Sequence, residues 1–521
     1  MTRRTRVPRV AWLCAATLLI AAISAPAQAA PRDATHIIRL REGVSLAAGS
    51  TIVRAAHGQV TGTVPIIHGL AARLPATARL RLAHDPRIAS ITANAAIRSQ
   101  AVKPRSLAKP PGADEGTPDG SRLATAYPYS VLAPQSWSTA TGRGVGVAVI
   151  DTGIDGDLPD FADANGSSRV VASVVTNPDA ATAADTYGHG THVAGIIAGD
   201  GNWRGPDDLA AGKYVGIAPR ANLVAIKASD DAGRGTILDA IYGLQFAVDH
   251  QADYNIRVVN LSLSSTSAES YRTDPLDAAV ESAYFHGILV VAAAGNRGDV
   301  NDATSYSPGN DPFALSVGAV DDQGTAERGD DAFTSWSSVG ETQDGFAKPD
   351  IAAPGAHIVS TLAPGSAFAG LCPSCIVDDE YIRLGGTSMA APVVSGVAAL
   401  VFERHPDWTP EDVKATLVET ARDVSGGVDE VNADAALSAQ SPSLGSDANI
   451  VPNDLVNAAT GDIDETRSSW GRSSWGGAPE SLVAGWARSS WGCTCATSAS
   501  GATATTRSSW GSATWLVNWN Y

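Results

Sequence analysis

The chain has 521 residues, enough for two or three domains and at least one large hydrophobic core. Its formal net charge of −17 is unevenly spread: residues 1–120 hold 16 Lys and Arg against 6 Asp and Glu, and the remainder holds 21 against 48. So acidic a body argues against nucleic-acid binding and favours solubility, while saying little about fold.

Residues 1–29 read as a leader. Arg3, Arg4, Arg6 and Arg9 precede an apolar run over 11–23, and Ala27-Gln28-Ala29 supplies a small-x-small cleavage site. This is the pattern of a secretory signal peptide; a membrane anchor would need about 20 apolar residues. No later stretch qualifies as a span, so the mature chain is expected to be exported and soluble. Within 30–100, strand patterns at 36–40, 66–74 and 88–97 alternate with helical patterns at 45–56 and 77–83, which predicts a small α+β unit. Residues 101–127 begin with Lys, Pro, Gly and Asp, as in an exposed linker open to proteolysis.

The segment 128–434 reads as the main domain. Strands are predicted at 145–150, 222–227, 258–263, 288–293 and 314–320, and helices at 192–198, 236–250 and 275–285. Strands made almost wholly of Val, Ile, Leu and Ala suit a sheet covered on both faces. An α/β domain of three layers with a mostly parallel sheet follows, its ligand site beyond the carboxyl ends of the strands. Further on, Leu384-Gly385-Gly386-Thr387-Ser388-Met389-Ala390-Ala391-Pro392 gives way to an apolar run at 393–402. That predicts a tight turn opening a helix, with Ser388 at its N-terminus and Pro392 tolerated in the first turn. Thr409-Pro410-Glu411-Asp412 opens a second helix over 409–421.

Past about Asp434 the periodicity fails. Residues 435–521 are rich in Ser, Gly, Ala and Trp, and Arg-Ser-Ser-Trp-Gly recurs from Arg467, Arg472, Arg488 and Arg507, as in a low-complexity extension. Cys14 leaves with the leader. Cys372, Cys375, Cys493 and Cys495 remain, and in an oxidising compartment they allow two disulfides in any of three connectivities. A redox or zinc half-site at Cys372-Pro-Ser-Cys375 is disfavoured because no second ligand pair at zinc spacing exists.

Four motifs carry chemistry. The strand Val147-Ala148-Val149-Ile150 ends in Asp151-Thr152-Gly153; His189-Gly190-Thr191-His192 stands at the threshold of a helix; Ser388 opens another helix; and Val290-Val291-Ala292-Ala293-Ala294-Gly295 ends in Asn296. Taken singly, each has an ordinary reading as a turn former or cap. His189 and His192, three apart, would also suit a metal. Asp-Thr-Gly occurs in aspartic proteases too, but those need a second such loop to share a proton, and none is present. Together the four supply a nucleophile, an imidazole to take its proton, a carboxylate to fix the imidazole tautomer, and an amide to meet an oxyanion.

On these motifs, residues 128–425 resemble the subtilisin-like serine proteases, the subtilase family, whose Asp…His…Ser order matches. The resemblance implies Asp151 as orienting carboxylate, His189 as general base and acid, Ser388 as nucleophile and Asn296 as oxyanion donor, with His192 a structural neighbour. It also implies that extended substrate pairs along Ser262, Leu263 and Ser264, facing a wall of Ala293, Ala294 and Gly295. Ser264 stands where the family usually has glycine. The family's calcium loop is not recognisable at 200–214, so no metal ligand is assigned and a structural calcium ion has no identified site; no cofactor is required. An insertion at 363–383 carries Cys372 and Cys375 close to the nucleophile, where it would shape the primed side.

The unit at 33–99 resembles a subtilase propeptide, an inhibitor and folding chaperone whose C-terminal end lies in the active site until self-cleavage between Gln100 and Tyr127. The expectation is therefore a secreted serine endopeptidase made as a self-processing zymogen. It would be a monomer acting on proteins and peptides, its own propeptide the intramolecular inhibitor and its tail a contact for the cell surface. A binding protein on an inactive protease scaffold and a metallohydrolase using His189 and His192 are the competing readings.

Overall fold

Along the first strand, β1 (Ala34–Leu40), Ile38 and Leu40 point to one side and Ile37 and Arg39 to the other, and all four are buried. A strand buried on both faces needs two partners. The computed structural model, which describes residues 34–41, 43–99, 125–163, 165–201, 212–442, 450–454, 456 and 460–461, supplies both. The predicted leader and the Arg-Ser-Ser-Trp-Gly repeats lie outside these residues.

The inner partner is local. Helices α1 (Leu46–Ala55) and α2 (Ala76–Ala83) cover one face of a four-stranded antiparallel sheet built from β1, β2 (Gln59–Val64), β3 (Gly69–Leu74) and β4 (Ile88–Ala93), in the order β2-β3-β1-β4. Ile38 and Leu40 pack with Ile52, Val53 and Leu82 there. β2 escapes a hydrophobic-pattern reading because Gln-Val-Thr-Gly-Thr-Val has little apolar alternation. The extended stretch expected over 88–97 is instead two strands: after Asn94 and Ala95 the chain leaves the small sheet as β5 (Ala96–Ser99).

The outer partner is the main domain. In chain order it contributes β6 (Gly146–Asp151), β7 (Val170–Val175), α3 (His189–Ala198), β8 (Asn222–Lys227), β9 (Gly235–Thr236), α4 (Ile237–Asp249), β10 (Ile256–Leu261), β11 (Leu263–Ser265) and α5 (Pro275–Phe285). It continues with β12 (Leu289–Ala293), β13 (Leu315–Asp321), β14 (Ala332–Phe333), β15 (Ile351–Pro354), α6 (Thr387–Arg404), α7 (Pro410–Glu419) and α8 (Ala433–Ser438). The central sheet runs β14-β13-β12-β10-β6-β8-β7, with β15 also paired to β13; every pairing is parallel except β13 with β14. The expected three-layer α/β architecture is what forms. Val147 and Val149 enter the layer held by α3 and α6, while Ala148 and Ile150 enter the layer held by α4 and α5.

Strand order positions the site. From β6 the chain turns toward β7, and from β10 it turns the other way toward β12. The carboxyl ends of adjacent β6 and β10 therefore flank the switch point of the strand order, where a ligand crevice is expected.

The small sheet lays its open face on α4 and α5, where Ile37, Val64, Ile66, Ile67 and Ala71 join the apolar layer of Leu244 and Leu276. Gln245 Oε1 accepts from the Ile66 amide at 2.6 Å, and the Ile237 amide donates to the Ala95 carbonyl at 2.9 Å. Ordered structure also continues past the expected boundary at 434. Asn432 caps α8, whose Ala436 and Leu437 are buried, and residues 451, 453 and 456 lie against the body as well.

Helix α6, which carries Ser388, has Gly396 where a Cβ would stand 2.5 Å from Ile217 Cβ. Alanine would gain about 1 kcal/mol of helix propensity, but overpacking a filled core costs about 1–3 kcal/mol. Gly396→Ala is therefore expected to lower the melting temperature, and a raised one in thermal denaturation would show that Ile217 can yield.

Candidate active site

Asp151 ends β6 and His189 begins α3. His189 Nδ1 lies 2.7 Å from Asp151 Oδ1, which also accepts the Thr152 amide at 2.7 Å. A carboxylate can only accept, so Nδ1 carries the proton and Nε2 is the basic nitrogen. His189 is 0% exposed, and its Nε2 has no hydrogen-bond partner. A buried acceptor left open is costly unless it is used, and here it is the atom a nucleophile's proton would reach.

The two segments are fastened by Asp185, which the motif reading did not single out. Its carboxylate accepts from Thr152 Oγ1 (2.8 Å), the Gly188 amide (2.7 Å), the Thr191 amide (2.8 Å) and Thr191 Oγ1 (2.7 Å). Thr152 Oγ1 in turn accepts from the Gly190 amide at 2.9 Å. Burial pushes the Asp185 carboxyl up, and these donors pull it the other way. Gly190 is glycine by necessity, since a Cβ would stand 2.1 Å from the Gly153 carbonyl. An Asp four residues before the histidine, in Asp185-Thr186-Tyr187-Gly188-His189, was the available signal. The helix begins at His189, not at 192 as the apolar pattern suggested, because that pattern starts only with Val193.

Ser388 is the second residue of α6 and 0% exposed. At this position first-turn amides have no intrahelical acceptor and the helix dipole is positive. Its hydroxyl donates to the Ser262 carbonyl at 3.0 Å, so in this state the proton does not sit on His189. A buried polar relay holds the Ser388 backbone: Ser395 Oγ donates to Asn260 Oδ1 (2.9 Å), Asn260 Nδ2 to Ser262 Oγ (2.9 Å), and Ser262 Oγ to the Ser388 carbonyl (2.8 Å). Asn296, past the end of β12, accepts through Oδ1 from the Thr387 amide (3.0 Å) and Thr387 Oγ1 (3.1 Å). Its carbonyl end is thus tied to the residue before Ser388.

The residues expected to bind substrate lie on two segments. Leu263, Ser264 and Ser265 make β11, which pairs antiparallel with β5 in the register Leu263↔Ser99, Ser264↔Arg98 and Ser265↔Ile97; β9 pairs with β5 on its other edge. Ala293 ends β12, and just past it the Ala294 amide donates to the Val317 carbonyl and the Gly295 amide to Thr387 Oγ1. Ile97 shares a small cleft with Asp151, Thr152, Ala228, Gly235 and Ser262.

The insertion at 363–383 reaches the histidine. Its Ala367 and Phe368 amides donate to the Thr186 and Tyr187 carbonyls, and the Phe368 ring stands edge-on to His189 with centroids 6.1 Å apart. Cys372 and Cys375 are joined to each other; Cys493 and Cys495 lie outside the described residues. His192 turns away from the site, its Nε2 bonded to the Ile382 carbonyl at 3.0 Å. Among the described residues no group of three or more His, Cys, Asp or Glu could hold a metal ion, and no helix is long and apolar enough to cross a membrane. Most of the loop weighed for calcium, 202–211, lies outside them.

Comparison with known proteins gives a consistent result. The pattern of the subtilase family matches residues 142–441. Serine protease AprX of Bacillus subtilis (strain 168) is 37% identical over 305 residues, which is 56% of this chain and 65% of that protein. Subtilisin NAT of Bacillus subtilis subsp. natto is 36% identical over 303 residues, 57% of this chain and 67% of its own length. The chain thus spans about two thirds of the curated relatives it matches. Among solved structures it is similar to fervidolysin from Fervidobacterium pennivorans, a keratinolytic enzyme related to subtilisin, with a TM-score of 0.60, 26% identity, and coverage of 78% of this chain and 61% of that one.

Burial, and next the charge of His189, lowers the His192 pKa from 6.5 to about 3. The folded chain therefore leaves His192 neutral while the unfolded chain protonates it. Its stabilising contribution is complete above pH 6.5 and is lost as pH falls toward 3. His192→Gln is expected to shrink the drop in melting temperature between about pH 7 and about pH 5; an unchanged drop would mean that His192 is protonated in the fold.

Proposed function

The chain belongs to the subtilase family, and from that premise we propose that it is a secreted serine endopeptidase made as a self-processing zymogen. The observation that carries this reading is the Asp151–His189 hydrogen bond with Nε2 left open, at a crevice that also receives Ser388 on a helix N-terminus. On substrate binding, the Ser388 hydroxyl leaves the Ser262 carbonyl and gives its proton to His189 Nε2 as Oγ attacks the peptide carbonyl. Asp151 holds the imidazole in the required tautomer and stabilises the imidazolium that forms. The Ser388 amide and Asn296 Nδ2 donate to the oxyanion. His189 then protonates the leaving amine, and water, deprotonated by the same imidazole, releases the acyl group from Ser388.

Substrate enters as an added strand between β9 and β11, with Ser262, Leu263 and Ser264 on one side and Ala293, Ala294 and Gly295 closing the specificity pocket. Main-chain pairing of this kind accepts many sequences. The strand β5 occupies that place, which supports reading residues 30–100 as a propeptide that blocks its own enzyme. Two further observations agree: the unit docks through a bare sheet face, and residues 1–120 are basic against an acidic body. The register supports a particular first cut. Leu263, which follows the Ser262 carbonyl that holds the nucleophile's hydroxyl, pairs with Ser99. The first cut proposed is therefore just past this pair, at the bond Gln100–Ala101. The insertion with Phe368 shapes the far side of His189, the tail meets the cell surface, and the mature enzyme is a monomer that needs no organic cofactor.

Three outcomes are expected. A fluorophosphonate labels Ser388 in the wild-type protein, and the mature N-terminus found by sequencing is Ala101; a start well beyond residue 110 would put the first cut elsewhere in the linker. Ser388→Ala folds, turns over nothing and keeps the N-terminal unit, so recovery of a mature-length chain from that variant alone would contradict self-cleavage. Asn296→Ala lowers kcat by about 10²- to 10³-fold, the size known for the oxyanion amide of a subtilisin, and near-normal turnover would remove it from the oxyanion site.

A further inference from the structure

The docked face of the N-terminal unit carries one fully buried charge. Arg39 lies on the same side of β1 as Ile37 and is 2% exposed. A guanidinium taken out of water needs acceptors and opposing charge. The body provides the Thr273 carbonyl, 3.1 Å from Nη1, and the carboxylates of Asp274 and Glu281. The remaining acceptor, 2.8 Å from Nη2, is Asn453 Oδ1.

Asn453 belongs neither to the N-terminal unit nor to the sheet-bearing body. It lies beyond α8, on a stretch that crosses back to α5, and it is 0% exposed. Its groups are all engaged. The backbone N–H donates to both carboxylate oxygens of Glu281, at 2.9 and 2.7 Å, and Nδ2 donates to the Asp274 carbonyl at 3.1 Å and to the Tyr271 carbonyl. The flanking residues are anchored too. Tyr271 Oη donates to the Val451 carbonyl (2.7 Å), Arg272 pairs with Asp454, Val456 is fully buried in the layer shared by α4, α5 and the N-terminal unit, and Ser282 Oγ donates to the Gly461 carbonyl (2.8 Å). This stretch lies in the segment that composition marks as a low-complexity extension, yet it contributes a side chain to the docking surface of the opposite end of the chain.

We propose that residues 450–454 and 456 belong to a C-terminal strap that completes the surface on which the N-terminal unit docks, with Asn453 joining Arg39 of that unit to Glu281 of the body. The strap extends the reading of residues 34–99 as an intramolecular inhibitor and rests on it. Without the Asn453 side chain the Arg39 guanidinium loses an acceptor, and without the whole strap the Glu281 carboxylate also loses the backbone amide that meets it, both inside a site closed to water. Leaving such groups unmet weakens the docked state more than loss of an exposed contact would. Removal of the tail upstream of residue 450 therefore loosens the inhibitor.

The test is amide hydrogen exchange on the full chain carrying Ser388→Ala, which keeps the N-terminal unit attached. Adding Asn453→Ala is expected to speed exchange across β1 and β5 by about tenfold, with β6 and β10 unchanged. Arg39→Met should do the same, and the double variant should exchange more slowly than two independent losses would give, because the two side chains share one hydrogen bond. A chain ended after Pro442 removes the whole strap and gives the same readout should Asn453→Ala fail to fold. Unchanged exchange in β1 and β5, or faster exchange confined to 450–461, overturns the proposal. Exchange needs no turnover, so fluorophosphonate labelling of the wild-type chain tests the protease reading separately.

Discussion

The bond between His189 Nδ1 and Asp151 Oδ1 can form only if the end of one strand and the start of one helix are held within a fraction of an ångström. Much of the surrounding structure serves that requirement. Asp185 gathers donors from Thr152 at the strand end and from Gly188 and Thr191 at the helix start, so a single buried carboxylate fastens both segments. Phe368 then closes the edge of the imidazole from the insertion. A histidine held this way has one tautomer and few rotamers, which is the preorganisation that proton transfer in a dry site demands.

The serine is held by different means. Ser388 owes its position to a helix N-terminus, and the relay from Ser395 through Asn260 and Ser262 ties that helix to the end of β10. Each member is buried and satisfied, so in the low-dielectric interior the relay resists sliding of α6 along the sheet. Asn296 is fixed to Thr387 on the other side. The serine is thus framed by two adjacent strand ends, and only its hydroxyl is free to exchange one acceptor, the Ser262 carbonyl, for another. In the proposed reaction that exchange is the first step.

The crevice is occupied by the chain itself. β5 takes the central place between β9 and β11, and the sheet that delivers it rests on the two helices behind the site. Arg39, on the N-terminal side of the main domain, and Asn453, on its C-terminal side, meet at that docking surface. A proposed inhibitor held by apolar burial, strand pairing and one buried charge network is held at separate places. Cutting the linker alone then removes only one of the restraints.

The sequence determined a good deal unaided. Apolar strands ending in Asp151 and Asn296, the Gly-His-Gly turn at His189 and the Gly-Gly-Thr-Ser turn at 388 expose both the parallel α/β architecture and the candidate site, because strand ends and helix starts leave local chemical signatures. What it left open depends on contacts between distant segments. Asp185 reads as an ordinary loop acid until four donors converge on it. Ser262 acts through a backbone carbonyl, which no side chain advertises. The break between β4 and β5 exists because a strand of the small sheet is captured by another sheet. Asn453 sits in a stretch without hydrophobic period, and its burial follows from packing between α5 and the N-terminal unit. Local propensity and pattern decide which elements form; the partners of buried polar groups are set by how those elements close on one another, and only the tertiary structure decides that.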